Sequence, residues 1–284
     1  MLHRMLPWHT RRGVTEESEP VKSEPVKPDP IKSKVVKPNT AVRSFIHRML
    51  PRHTERSVTG SYDTVVRIYV LCHTKERFTS AQQIYKPWPW AIPILMKYQD
   101  CTFENAFWKQ LLEIKDEWAS CDMVGSVSYS AYKKIRMTAI DSIIRDRNKW
   151  KSGYVNFNNT QKSITNDHPN LLRIINDVMK TIGMPRPTFS CCNYWMCTPD
   201  KMTRFIDWFE TMLKPVVLAH PLAMTNAQYP GSLNKQALMT VCGTPFYPHV
   251  PFVIERLNKA FFVNYWKSEP ASAISGLIQM KDKL

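Results

Sequence analysis

Glu255 and Arg256 adjoin one another in PFVIERLNKAFF, where Phe252, Val253, Leu257, Ala260 and Phe261 form the apolar face of a buried helix. A carboxylate opening such a helix can take up or orient a proton, and a guanidinium beside it can grip a phosphate. The structural alternative is an internal salt bridge, or a pairing of Glu255 with Lys259 one turn further on. His73, Thr74 and Lys75 follow the β-branched run TVVRIYVLC, where a parallel strand delivers its loop to a ligand or simply makes a hydrophilic turn. Glu104 leads an amphipathic segment, where a carboxylate also serves the helix dipole. Asn193 and Trp195 lie in an otherwise apolar stretch. A buried amide there needs a partner, either a ligand hydroxyl or a backbone carbonyl, and an indole can stack on a ligand or fill the core. Asp122 stands alone before a Val-Gly strand, as a ligand for a hard cation or as a turn cap, while His168 and His220 suit only a softer metal.

These side chains can cooperate only if the elements carrying them converge. Apolar runs at 64–72, 91–98, 123–129, 154–157 and 188–196 predict strands. Amphipathic spacing predicts helices over 103–118 with Thr102 as its cap, 134–147, from Pro169 to about Gly183, 200–213, 232–240 and 251–266. Strands alternating with helices imply an α/β domain, a mostly parallel Rossmann-like sheet with helices on both faces. Ligands meet such sheets at the carboxyl ends of the strands, which singles out the loops after Cys72, Tyr129 and Met196. The long Pro- and Tyr-containing loops 219–232 and 243–251 have the character of binding sites or lids.

Residues 1–60 are of another kind. HRMLPWHTRR at 3–12 returns as HRMLPRHTER at 47–56, and between the copies runs EPVKSEPVKPDPIKSKVVKP. Proline removes backbone donors and holds its neighbours extended, so this tract favours polyproline II and builds no core. It reads as a disordered basic arm, a spacer or tether, before a catalytic domain over 61–284. With 12 Lys and Arg against 6 Asp and Glu it is the more basic part per residue of a chain carrying +15. That charge invites a polyanion, yet no zinc-finger, helix-turn-helix or RNP-like signature accompanies it, so no specific nucleic acid is expected.

No apolar stretch reaches the roughly 18–20 residues of a transmembrane helix. The opening MLHRMLPWHTRRG lacks a secretory h-region, the acidic TEESE argues against a transit peptide, and the terminal KDKL departs from KDEL at its acidic position. Seven cysteines without a CxxC pair, Cys191, Cys192 and Cys197 among them, read as reduced thiols and suit a cytoplasmic protein.

Three segments, in their order and spacing, are similar to one known family. RIYVLCHTKE resembles its opening strand, which ends in His followed shortly by Lys. ENAFWKQLLEIKDEWASCDMVGSVSYSAYKK resembles its Glu-led, Trp-containing helix and the "VGL-HYRR" strand after it. CNYWMCTPDKMTRFIDWFETML, followed at a distance by PFVIERLNKAFF, resembles its Asn-bearing strand and closing helix. Together they resemble the capsule and polysaccharide glycosyltransferases of bacteria and large viruses, which have a GT-A-like nucleotide-sugar domain.

The resemblance implies a nucleotide-sugar donor and a glycan or glycoprotein acceptor. It implies donor binding by His73, Thr74, Lys75, Ser128, Tyr129, Lys133 and Arg256, acceptor binding by Glu104, Asn193 and Trp195, and catalysis by Glu255 with Asp122. The chain has no DxD motif, so Asp122 is the carboxylate left to hold Mn or Mg; without a metal, Lys75, Lys133, Lys134 and Arg256 are the cations for the diphosphate. Where the family has His-Tyr-Arg-Arg, this chain has Ser128, Tyr129, Ser130 and Ala131. Two other readings compete: a basic nucleic-acid-binding protein, and a catalytically inactive relative serving as an interaction module.

Overall fold

The β-branched run that opens the domain is buried at every position except Arg67, and it becomes the strand β1, Val66–Cys72. The computed structural model describes residues 65–157, 168–185 and 192–266. All belong to the second of two units of the chain, Gly60–Leu284. The arm 1–60, Cys191 and the terminal KDKL lie outside the described residues.

Five strands, β1, β2 (Ala91–Leu95), β3 (Met123–Ser128), β4 (Tyr154–Asn156) and β5 (Trp195–Cys197), form one sheet in the order β2-β1-β3-β5-β4. β1 pairs in parallel with β2 and with β3. β5 runs antiparallel to both its neighbours, β3 and β4, so the sheet is mixed around a parallel core. The direction of β5 corrects one expectation. The loop after Met196 leaves from the amino edge of β3, whereas the start of the segment, Cys192–Asn193–Tyr194, meets the carboxyl ends of β1 and β3. Gly125 permits this pairing: a Cβ there would stand 2.2 Å from Trp195 O and 2.7 Å from Met196 Cα.

Both faces of the sheet are covered because successive side chains alternate. Ile68, Val70, Cys72, Val127 and Met196 pack with Ala81 of α1 (Lys75–Ile84) and with Ile140, Ile143 and Ile144 of α3 (Met137–Arg145). Tyr69, Leu71, Val124, Trp195 and Cys197 face a larger layer. That layer holds α2 (Phe107–Glu113), α4 (Leu171–Thr181), α5 (Pro199–Trp208), α6 (Lys214–Ala219) and α8 (Val250–Trp266). A shorter helix, α7 (Lys235–Cys242), precedes α8 and is closed by Gly243 at φ 69°. Among the described residues no helix is long and apolar enough to cross a membrane.

The strand expected over 188–196 is confined, among the described residues, to Trp195–Cys197, and three helical elements also differ from the sequence expectation. The helix expected over 103–118 breaks into a 3₁₀ turn Phe103–Ala106, α2 and a one-turn helix Lys115–Trp118, with Ile114 out of helical geometry at ψ 27°. Thr102 does not cap it, because its backbone N–H and its hydroxyl both bond Asp100 Oδ1. The helix expected over 200–213 continues through a π turn, Phe209–Leu213, into α6. Pro215 accounts for the widening, since it lacks an N–H and its ring would collide with the carbonyl four residues back. α1 was not expected, and its pattern is weak, with Ala81 its one buried residue.

Candidate active site

β1 hands the chain to His73 and Thr74 at the carboxyl edge of the sheet. Thr74 is extended and its Oγ1 accepts the N–H of Arg77 at 3.3 Å, so this hydroxyl starts α1 and is spent on the cap. His73 keeps its ring partly exposed, with Nε2 3.9 Å from Glu104 Oε1. Glu104 reaches it from the 3₁₀ turn before α2, whose first residue, Phe103, holds a φ of 52° that bulky side chains rarely adopt. Lys75 is exposed at the start of α1.

β3 delivers Ser128 to the same edge. Its Oγ lies 3.1 Å from Ser130 Oγ and 2.5 Å from the hydroxyl of Tyr194, which arrives from the segment entering β5. Burial pushes the Tyr194 hydroxyl well above its ordinary range, and the charges of Glu104 and Glu255 push the same way. Tyr194 therefore stays a neutral donor. Lys134 places its ammonium 5.8 Å over the Tyr194 ring.

The start of α8 closes the arrangement. Glu255 Oε2 lies 3.2 Å from Arg256 Nη1, with the Arg256 side chain 8% exposed and that of Glu255 20%. Desolvation raises the Glu255 carboxyl above its ordinary range, and Glu104 adds to the rise. Arg256, the backbone N–H of Cys192 and Lys134 oppose it. Arg256 Nε is buried and has no hydrogen-bond partner among the described residues. His73, Glu104, Ser128, Glu255 and Arg256 thus gather at one edge, joined by Lys134 and Tyr194.

Other expected residues stand elsewhere. Asp122 precedes β3 at the amino edge, about 20 Å along the strand from Ser128, and its Oδ2 accepts the Val65 N–H at 2.8 Å. It does not join Glu255. Among the described residues no three His, Cys, Asp or Glu gather in one place. Trp195 is fully buried between Trp108, Phe205 and Phe262, so its ring is core and not a stacking surface. Asn193 is also withdrawn. Its Nδ2 donates to Asn105 Oδ1 at 3.0 Å and its Oδ1 accepts from Asn258 Nδ2 at 2.6 Å, so the buried amide is satisfied by two other amides.

Tyr129 and Lys133 flank the edge. The Tyr129 ring lies under the Arg77 guanidinium at 5.9 Å, and Lys133 sits 5.7 Å over Tyr132. Tyr194 is the residue that sequence reasoning passed over. It stands between Asn193 and Trp195, and strand alternation sends its ring to the opposite side from both. Compared with protein-family models, with curated proteins and with solved structures, the chain matches none.

Proposed function

We propose that the domain transfers a sugar from a nucleotide-sugar donor to the hydroxyl of a glycan acceptor, on a GT-A-like sheet. The observation that carries this reading is the Glu255–Arg256 pair at the carboxyl edge: a carboxyl with a raised affinity for protons against a buried guanidinium. Those are the two groups that glycosyl transfer needs where no metal neutralises the leaving group.

In the proposed step the acceptor oxygen bonds to the anomeric carbon while the bond from that carbon to the diphosphate oxygen breaks. The bonding pair leaves on the diphosphate, held by Arg256 and Lys134. The acceptor proton passes to the Glu255 carboxylate, whose raised pKa makes it the stronger base once ionised. His73 and Glu104 border the same space and orient the sugar hydroxyls, and Ser128 with Tyr194 supplies neutral hydrogen bonds. No step passes through a metal.

The experiment is a thermal-shift screen of the full chain against uridine, guanosine, cytidine and thymidine diphosphates, followed by donor hydrolysis with the nucleotide that stabilises most. Stabilisation by one of them and slow release of its sugar are expected. A melting temperature that none of them moves overturns the reading.

A further inference from the structure

The excursion between α6 and α8 carries a row of aromatic rings beside a groove. The rings are fixed on each other. Phe103 stacks on Tyr247 at 5.5 Å and 26°, Tyr229 meets Tyr247 edge-on at 5.2 Å, and Tyr229 leans on Phe252 at 5.1 Å. His168 closes the row, stacked on Phe252 at 4.1 Å.

The Tyr247 ring is held on all sides. Its hydroxyl accepts the Leu233 N–H at 2.9 Å, and a Cβ on Gly231 would stand 2.2 Å from its Cζ, so only glycine lets the chain pass. The loop itself is tied down, with Ala227 N–H donating to Tyr247 O and the buried His249 ring lying between the carbonyls of Thr225 and Pro169. Even so, Tyr229 is 47% exposed. A fixed ring that stays open to solvent is a preorganised contact surface.

Beside these rings runs a groove of about 460 Å³, lined by Asn226, Gln228, Asn234 and Phe246 as well as the two tyrosines. Two of the amides have their oxygens engaged: Asn226 Oδ1 by the Gln228 N–H and Asn234 Oδ1 by the Ala237 N–H. Each is thereby oriented with its NH₂ as the remaining donor. Among the described residues, Lys235 is the one charged group in the lining.

We propose that this groove binds a neutral pyranose chain. The C–H face of a pyranose is weakly positive and packs on the negative face of an aromatic ring, and its hydroxyls take the hydrogen bonds that fixed amides offer. Other ligand classes fit less well. A polyanion needs several cations where the described residues of the lining supply one, a cation needs carboxylates where they supply none, and an apolar ligand would strand the amides. Phe103, which joins the ring row to the site, is the chain neighbour of Glu104. On the transferase reading given above, the groove is therefore the outer part of the acceptor site.

The test titrates the full chain with linear neutral tetrasaccharides of glucose, galactose, mannose and N-acetylglucosamine, by calorimetry or ligand-observed NMR. At least one binds. Tyr229→Ala weakens it about tenfold, Tyr229→Phe restores most of the loss, and Gln228→Ala, an exposed change, weakens it severalfold. No binding by any of the four, equal binding by wild type and Tyr229→Ala, or binding of heparin in preference to all four overturns the proposal. Its failure is separable from that of the transferase reading. Tyr229-dependent glycan binding by a protein that no nucleoside diphosphate stabilises leaves the groove standing and removes the transferase, and nucleotide binding without glycan binding does the reverse.

Discussion

Arg256 lays Nη1 3.2 Å from Oε2 of Glu255, although the two are consecutive on α8. Consecutive helical residues point in different directions, so such a pair forms only when both side chains bend toward one place. Here that place is the carboxyl edge, where the Cys192 N–H also acts on Glu255. The pairing of Glu255 with Lys259 that helical spacing allows is not the one adopted. Burial lowers the affinity of Lys259 for its proton.

Glu255→Gln keeps the size of the side chain and removes the proton acceptor. Transfer is expected to fall by about 10²–10⁴-fold while the far-ultraviolet circular dichroism and the melting profile stay those of a folded protein. Turnover within a few-fold of wild type would take Glu255 out of the chemistry.

The same substitution isolates a pH effect. The folded state binds the Glu255 proton more tightly than the unfolded chain does, because burial raises its pKa. Its contribution is therefore fully present below the unfolded value and is lost as pH rises through the folded one. Urea stability of wild type minus that of Glu255→Gln should decline as pH rises above the ordinary carboxylate range. A difference that climbs instead would mean that Arg256 outweighs desolvation.

Much of this was legible from the chain. β1 and β3 are buried on both faces and α4 and α8 repeat an apolar face, so residue pattern alone located them. The direction of β5 was not legible: a strand of three residues carries no mark of whether it runs parallel, and that choice decides which of its ends meets His73. Asn193 was conspicuous as a polar residue in an apolar run, but its partners Asn105 and Asn258 are 88 and 65 residues away, and no local pattern announces such a pairing. Asp122 could be placed at the head of its strand from sequence. That placement already put it at the edge opposite the site.

Arg256→Ala leaves Glu255 without its nearest cation. After allowing for the partial exposure of Glu255, a loss of about 2–4 kcal/mol is expected in urea unfolding. Combining it with Glu255→Gln should recover part of that loss, since the uncompensated charge is gone. If the double variant is as unstable as the sum of the two single ones, the pair is not coupled in the folded state.

Asn105 accepts from both Asn193 and Asn258, so Asn105→Ala strands the buried Asn193 Nδ2 and takes from Asn258 Nδ2 one of its two acceptors, leaving it Asn193 Oδ1. Each unsatisfied group costs about 1–3 kcal/mol. The loss should exceed that for Asn258→Ala, whose Oδ1 already lacks a hydrogen-bond partner among the described residues. Equal losses measured by chemical unfolding would show that Asn105 is not the hub of the three amides.

Gly125 tests the strand pairing on which the site depends. Alanine there drives a Cβ to 2.2 Å from Trp195 O and 2.7 Å from Met196 Cα, both backbone atoms that cannot swing aside as a side-chain tip can. β5 must then move away from β3, and the segment before it would carry Tyr194 off Ser128. Gly125→Ala is expected to cost more than about 4 kcal/mol or to leave the protein insoluble. Gly183→Ala is the control, because a Cβ at Gly183 meets nothing within 4 Å and only its φ of 69° is unfavourable. A cost of about 1–2 kcal/mol is expected there. Should Gly125→Ala unfold no more easily than Gly183→Ala, β3 and β5 do not pair as closely as described, and Tyr194 loses its place beside Ser128.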